Sequence, residues 1–243
     1  MSFVVYGFNV SISENIARIQ EQIAAAANRA GRPKEDIALM AVTKTHPATK
    51  IRDAYDAGLR LFGENRVQEF AGKGAALANL ARAEWHMIGH LQTNKAGKAV
   101  ELFSAVDSVD SVKLAEKLNT AAQALGKTLP VLIEINIGGE GAKSGVAMDS
   151  PELESLLQSA PRLESLSIRG LMTVPPFTND PEGAGPYFRK LRELRDKIAL
   201  RKLPAISLDE LSMGMSHDFG VAIEEGSTCV RVGTAIFGER TVH

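Results

Sequence analysis

One cysteine, Cys229, stands in the 243 residues, which excludes a disulfide within the chain and fits a reducing compartment. It lies in the apolar run Thr228-Cys-Val-Arg-Val232, so a buried structural thiol is expected rather than a reactive one. Excess charge is also missing. The 28 Lys and Arg face 29 Asp and Glu, a net −1, and no basic field points to nucleic acid or a membrane surface. No apolar run approaches the ~20 residues that a membrane-spanning helix requires. The start, Met1-Ser-Phe-Val-Val-Tyr-Gly-Phe8, has neither a basic leader nor a cleavage site. A soluble, cytoplasmic protein is expected.

Several chemical signatures fail on inspection. Gly138-Gly-Glu-Gly-Ala-Lys-Ser-Gly145 follows a strand pattern like a nucleotide-phosphate loop, but Ala142 and Ile137 stand where that loop needs glycine. His86 and His90 are four apart, a spacing that suits zinc on a helix but falls here at a strand end without a third ligand. A hydrogen-bonded strand histidine is the better reading of His86. Gly214-Met-Ser216 lacks the second glycine of a serine-hydrolase elbow, and Ser216 reads as the N-cap of the following helix.

What is present is alternation. After an arm of about ten residues, Ser11 or Ser13 caps a helix with apolar residues at 12, 16, 19, 23 and 27 that stops near Gly31-Arg32-Pro33. Strands are expected at 37–43, 59–63, 85–89, 102–107, 129–137, 166–174, 206–212 and 228–233. Helical patterns fall at 48–57, 65–80, 92–100, 110–125, 151–159, 182–200 and 217–226, with a short one from 234. Strands such as Val131-Leu-Ile-Glu-Ile-Asn-Ile137 are too continuously apolar to have a wet face, the mark of a parallel sheet covered by helices. Eight such units predict one α/β domain over 1–243, a (β/α)8 TIM barrel with an extra N-terminal helix. A doubly wound open sheet is the alternative, since strand order is not written in the periodicity. Val174–Pro186 reads as a long βα loop.

Barrel chemistry collects at the C-terminal strand ends. The polar residues there are Lys44, Glu64, Asn65, His86, His90, Asn136, Thr173, Ser212, Ser216, Arg231, Gly233 and Thr234. Lys44 sits where a buried strand runs into a turn before Pro47, among apolar neighbours that weaken its hydration. A desolvated amine is more readily neutral and can attack an aldehyde. The Ser- and Gly-rich loops after strands 7 and 8 lead into helix N-termini that favour an anion. An amine, an anion cradle and Arg231 together describe a site for pyridoxal 5′-phosphate (PLP). Arginine cannot take a proton from the pyridine nitrogen, so the ring would be a weak electron sink.

Seven stretches carry a family resemblance: Ala41-Val-Thr-Lys44-Thr, Phe62-Gly-Glu-Asn65-Arg-Val-Gln-Glu69, Trp85–Lys95, Asn136–Gly145, Gly170-Leu-Met, Leu211–Ser216 and Val230–Gly238. In that order, along nearly the whole chain, they resemble the YggS/PROSC family of pyridoxal-phosphate homeostasis proteins. The resemblance implies a fold type III barrel like the alanine racemase N-terminal domain, with the cofactor held on Lys44 as an internal aldimine. It further implies Arg231 near the ring nitrogen, Asn65 near the ring, and Ser216, Gly233 and Thr234 at the phosphate. Lys143 matches a family lysine for which a secondary cofactor contact is expected. Arg66, His90 and His46 depart from the usual tyrosine, proline and second lysine. The implied role is binding, buffering and delivering PLP to apo-enzymes, as a monomer and without robust catalysis. A racemase-like enzyme is the alternative, but it needs a second acid–base group. Tyr6, Tyr55 and Tyr187 fall in the arm and in helices, so none is expected to serve.

Overall fold

The computed structural model describes residues 10–139 and 144–239. Its centre is a closed, all-parallel barrel in the order β1 to β8, with β8 pairing back onto β1, which rules out the open sheet. The strands are β1 (Ala38–Val42), β2 (Leu61–Glu64), β3 (Glu84–Met87), β4 (Ala105–Val109), β5 (Leu129–Glu134), β6 (Leu166–Met172), β7 (Ile206–Met215) and β8 (Cys229–Val232). Around them lie α1 (Ile12–Arg29), α2 (Ala48–Asp56), α3 (Val67–Leu77), α4 (Ala96–Leu102), α5 (Val112–Ala124), α6 (Pro151–Ser159), α7 (Gly185–Ala199), α8 (Phe219–Glu224) and α9 (Thr234–Phe237).

Ser11, not Ser13, caps α1. Its Oγ accepts from Glu14 N at 3.2 Å and its own N–H donates to Glu14 Oε2 at 2.8 Å, a reciprocal capping box. Ile16, Ile19, Ile23, Ala26 and Ala27 face the barrel and are buried. Asn15 Nδ2 donates to Ile236 O at 3.0 Å, and Arg32 donates to the carbonyls of Ile223 and Ser227. The extra helix therefore braces α8 and α9, the two short helices that follow the last two strands.

Some boundaries differ from the periodicity. β4 starts at Ala105, not 102, because Leu102 ends α4 and Phe103 N still bonds to Ala99 O at 2.9 Å. β5 stops at Glu134, not 137, because Val146 returns to pair with Ile135, its N–H donating to Glu134 O at 2.8 Å. β6 stops at Met172, not 174. β7 runs on to Met215 because Met215 pairs with Arg231. In the Val174–Pro186 loop a 3-10 turn over Pro181–Ala184 precedes α7, which begins at Gly185 rather than 182.

The core has two shells. Outward residues such as Ala41, Phe62, Val131, Ile133, Leu211 and Val230 pack under the helices. Phe62 stacks on Trp85 at 4.8 Å, and Trp85 and Phe103 in turn contact Phe70 at 4.7 and 5.1 Å. This aromatic cluster anchors α3 through Phe70, with each ring pair adding about 0.5–1.5 kcal/mol beyond area burial. The lumen is more polar than the branched aliphatic filling usual for such barrels, because buried Asp107, Ser212 and Arg231 share it with Met40 and Leu132.

Candidate functional site

The turn after β1 carries Lys44. His46 N donates to Thr43 O at 3.1 Å, so Lys44 and Thr45 are the central pair of a tight turn, and Thr45 has φ +65°. Glycine or asparagine normally fills a turn position with positive φ. A β-branched residue there stores about 1–3 kcal/mol that its surroundings must offset.

The surroundings are a partly buried ion network reaching in from β2 and α3, with Glu64 at its buried end. Thr45 N–H donates to Glu69 Oε1 at 2.5 Å, and Lys73 Nζ donates to Thr43 O at 2.9 Å and His46 O at 3.4 Å. Lys73 also pairs with Glu64 at 2.8 Å and Glu69 at 3.0 Å. Glu64 was expected at the barrel mouth. Instead it faces α3, wholly buried, with Oε1 accepting from Thr43 Oγ1 and Oε2 without a hydrogen-bond partner among the described residues. Phe62 is the outward residue two positions earlier, so the pleat puts Glu64 outward as well. Burial raises its pKa above the ordinary carboxylate value, more than Lys73 and Thr43 lower it. Burial also pushes Glu69 up, but the Thr45 N–H and Lys73 outweigh it and leave Glu69 below the usual range.

Across the mouth, Gly214, the penultimate residue of β7, has φ +94°, a close approach that turns the chain so that Ser216 meets the end of β8. Ser216 does not cap α8, whose N-cap is Asp218. Its Oγ accepts instead from Gly233 N at 3.3 Å and Ala235 N at 3.4 Å, tying the two loops together. Asp218 Oδ1 takes the Met215 N–H at 2.6 Å, and burial raises the Asp218 pKa.

Arg231 enters from β8, 4% exposed. Its Nη1 donates to Ser212 Oγ and its Nη2 to Thr173 O, both at 2.7 Å. Burial lowers its pKa, while Asp107, Glu134 and Asp218 act through space to support the charge. Among the described residues the guanidinium is thus braced by a hydroxyl and a carbonyl, with no carboxylate paired to it. Asn65 lies under the next loop because Gly89 has no side chain; a Cβ there would sit 2.5 Å from Asn65 O.

These elements enclose a cavity of about 320 Å³ at the C-terminal mouth, lined by Lys44, Asn65, Ser216, Arg231, Gly233 and Thr234. All six expected residues therefore converge. A larger cavity of about 720 Å³ opens at the opposite mouth, but Lys44 does not reach it. His86 lines that one, not the lysine site. Its Nδ1 is 3.1 Å from both Asp107 oxygens; burial lowers its pKa, but Asp107 outweighs this and the net shift is upward. His90 pairs with Asp110 at 3.2 Å in an exposed position. Among the described residues no cluster could hold a metal ion, and no helix is long and apolar enough to cross a membrane.

Residues 15–241 match the family described as alanine racemase, N-terminal domain. The pyridoxal phosphate homeostasis protein of Aquifex aeolicus is 46% identical over 227 residues, covering 93% of this chain and 97% of that one. Its counterpart in Escherichia coli K12 is 42% identical over 234 residues, covering 94% and 97%. The chain belongs to the pyridoxal phosphate homeostasis protein family. PipY of Synechococcus elongatus, whose structure has PLP bound, superposes with a TM-score of 0.82 at 38% identity, covering 94% of this chain and all of that one. Alanine racemase from Streptomyces coelicolor, 22% identical with a TM-score of 0.67, shares the fold alone and is covered over 58% of its length.

Around this cavity, some residues stand where the sequence reading had given them no role. His46 lines the cavity, 8% exposed, with its ring 4.6 Å from that of Phe237. His217 lies exposed at the rim, 5.7 Å from the Phe177 ring. Lys73 had a local signal only, its i,i+4 spacing from Glu69. Asn136 does not line the cavity, and Lys143 and Tyr6 fall outside the described residues. Tyr55 donates to Ala81 O at 2.7 Å and Tyr187 packs on the core, so neither borders the cavity. Cys229 is a free, buried thiol whose pKa burial pushes up to about 12, as expected of a structural cysteine.

Proposed function

We propose that this protein binds pyridoxal 5′-phosphate in the C-terminal cavity and holds it for delivery to PLP-dependent enzymes rather than turning over amino acids. The observation that carries the reading is the convergence of Lys44, Arg231 and the Ser216–Gly233–Thr234 loops on one cavity of about 320 Å³. That volume lies within the usual range for small-molecule sites. The residues fit the cofactor's three chemical demands. Lys44 offers an amine for the aldehyde, which condenses with loss of water. The loop hydroxyls and N–H groups suit the phosphate, and Val42 and Ile88 give the ring an apolar wall. PLP carries the electron-withdrawing ring; the chain's part is to hold and orient it. Arg231 is cationic through the intrinsic basicity of its guanidinium, even with burial acting against the charge; it disfavours a protonated ring nitrogen and so weakens activation of any bound amine.

Replacing Ser216 or Thr234 with Ala removes a hydroxyl hydrogen bond to an anion, worth roughly 1.5–3 kcal/mol. PLP affinity measured by fluorescence or absorbance titration is expected to fall by about tenfold or more. For Ser216 the loss also unties the two loops. Equal affinity of the parent protein for pyridoxal and its phosphate would remove the phosphate assignment.

Catalysis is tested in deuterium oxide. A racemase-like reading needs a second acid–base group opposite Lys44, and His217 at the rim is the residue such chemistry would use. On the carrier reading, D- and L-amino acids exchange their α-protons slowly, while loaded protein restores activity to an apo-enzyme in the same buffer. Rapid, stereospecific α-deuteration that vanishes in Lys44→Ala and His217→Ala would replace the carrier with an enzyme.

A further inference from the structure

We propose that Lys73 is a positioning residue for Lys44, holding the lysine turn in its left-handed conformation so that the Lys44 amine is already aimed when the aldehyde arrives. This deepens the PLP-binding reading and rests on it. The Lys73 side chain is 12% exposed, so it is not a solvated helix charge. Its ammonium reaches the carbonyls on either side of the Lys44-Thr45 pair, Thr43 O at 2.9 Å and His46 O at 3.4 Å. It also gathers Glu64 from β2 and Glu69 from α3, and Glu69 in turn takes the Thr45 N–H at 2.5 Å. Both ends and the middle of the turn are thus fastened to one cation.

The arrangement has a specific logic. Without such a clamp, Thr45 at φ +65° relaxes towards the extended or right-handed regions that a β-branched residue prefers. The Lys44 backbone then rotates with it, and the side chain no longer keeps its place in the cavity wall. α3 is itself pinned by Phe70 in the aromatic cluster, so Lys73 works from a fixed platform. The covalent step is the addition of the Lys44 amine to the aldehyde carbon, followed by loss of water. Lys73 takes no part in bond making; it sets where the nucleophile starts, and small misplacements of a reacting group are costly.

The experiment joins Lys73→Met with Thr45→Gly, since glycine adopts positive φ without strain. Two readouts are followed: the rate at which the visible PLP band forms on mixing with apoprotein, and hydrogen exchange at the residue-45 amide without PLP. Lys73→Met is expected to slow band formation about tenfold to a hundredfold and to speed exchange at Thr45. Thr45→Gly alone should stay near the parent rate, and the double variant should recover most of it. A folded Lys73→Met protein that captures PLP at the parent rate would overturn the proposal, as would a double variant no faster than Lys73→Met. If Lys73→Met does not fold by circular dichroism, Glu69→Ala, at a partly exposed side chain, takes its place with the same expectations. Failure of the underlying reading looks different: the parent band would persist in Lys44→Ala, while the exchange measurement would still report on the clamp.

Discussion

Lys44→Ala is expected to abolish the visible absorbance of the PLP-loaded protein and to leave no lysine labelled by borohydride. The variant retains Arg231, Ser216 and Thr234, so weak noncovalent binding should persist, reduced by at least about a hundredfold, or ~2.7 kcal/mol. Neighbouring amines are poor substitutes. Lys73 Nζ is held by two carboxylates and by two backbone carbonyls, and Lys50 Nζ donates to Phe237 O at 3.1 Å. Neither borders the cavity that Lys44 lines. Peptide mapping after reduction checks the assignment directly. A principal label on another lysine, or an undiminished band in the variant, would mean that the cavity is not organised around Lys44.

Gly214→Ala is expected to be the most destabilising single methyl in the site. The new Cβ would lie 2.5 Å from Ala222 Cβ and 3.0 Å from Phe219 Cα, on a residue whose φ is +94°. Backbone strain of about 1–3 kcal/mol and overpacking of about 1–3 kcal/mol combine to roughly 2–6 kcal/mol. For a chain of this length, ~3 kcal/mol lowers the melting temperature by roughly 6–12 °C. The damage should not stay in the scaffold. Relief of the clash moves α8 away from β7 and shifts Ser216, which joins the loops after β7 and β8 through Gly233 N and Ala235 N. PLP affinity should therefore fall along with stability. A melting point within about 2 °C of the parent and unchanged affinity would show that the β7 turn tolerates other conformations.

The strand–helix alternation and the strand-end places of Lys44, Arg231 and the Ser216, Gly233 and Thr234 loops were legible because each depends on local pattern, whereas Asn65 was picked out by the family resemblance. Lys44, Ser216 and Arg231 each stand at the end of an apolar run or in the turn beyond it, which a parallel barrel places at one mouth. Direction within that mouth was less legible. Glu64 and Asn65 are adjacent, yet one lines the α3 interface and the other the cavity, because the strand pleat turns Glu64 outward and Asn65 begins the turn that follows. His86 occupies a lumen position but lower in the barrel, so it serves the other cavity. Ser216 stands just before a helix like an N-cap, yet it bonds across to the next loop. No periodicity encodes that pairing.

By itself the amino-acid sequence determined the class of fold, the face on which chemistry would gather, and the chemical types of the principal groups. Apolar runs, breaks and turn residues act over a few positions, and side-chain chemistry is carried by the residue itself. Tertiary structure alone decided that the sheet closes, because the β1–β8 pairing joins residues nearly two hundred positions apart. It also decided what surrounds each functional group: Ser212 and Thr173 for the Arg231 guanidinium, and Lys73, Glu64 and Glu69 for the Lys44 turn. Those contacts bring together strands and helices distant along the chain, and their energies depend on burial and direction that exist only once the barrel has closed.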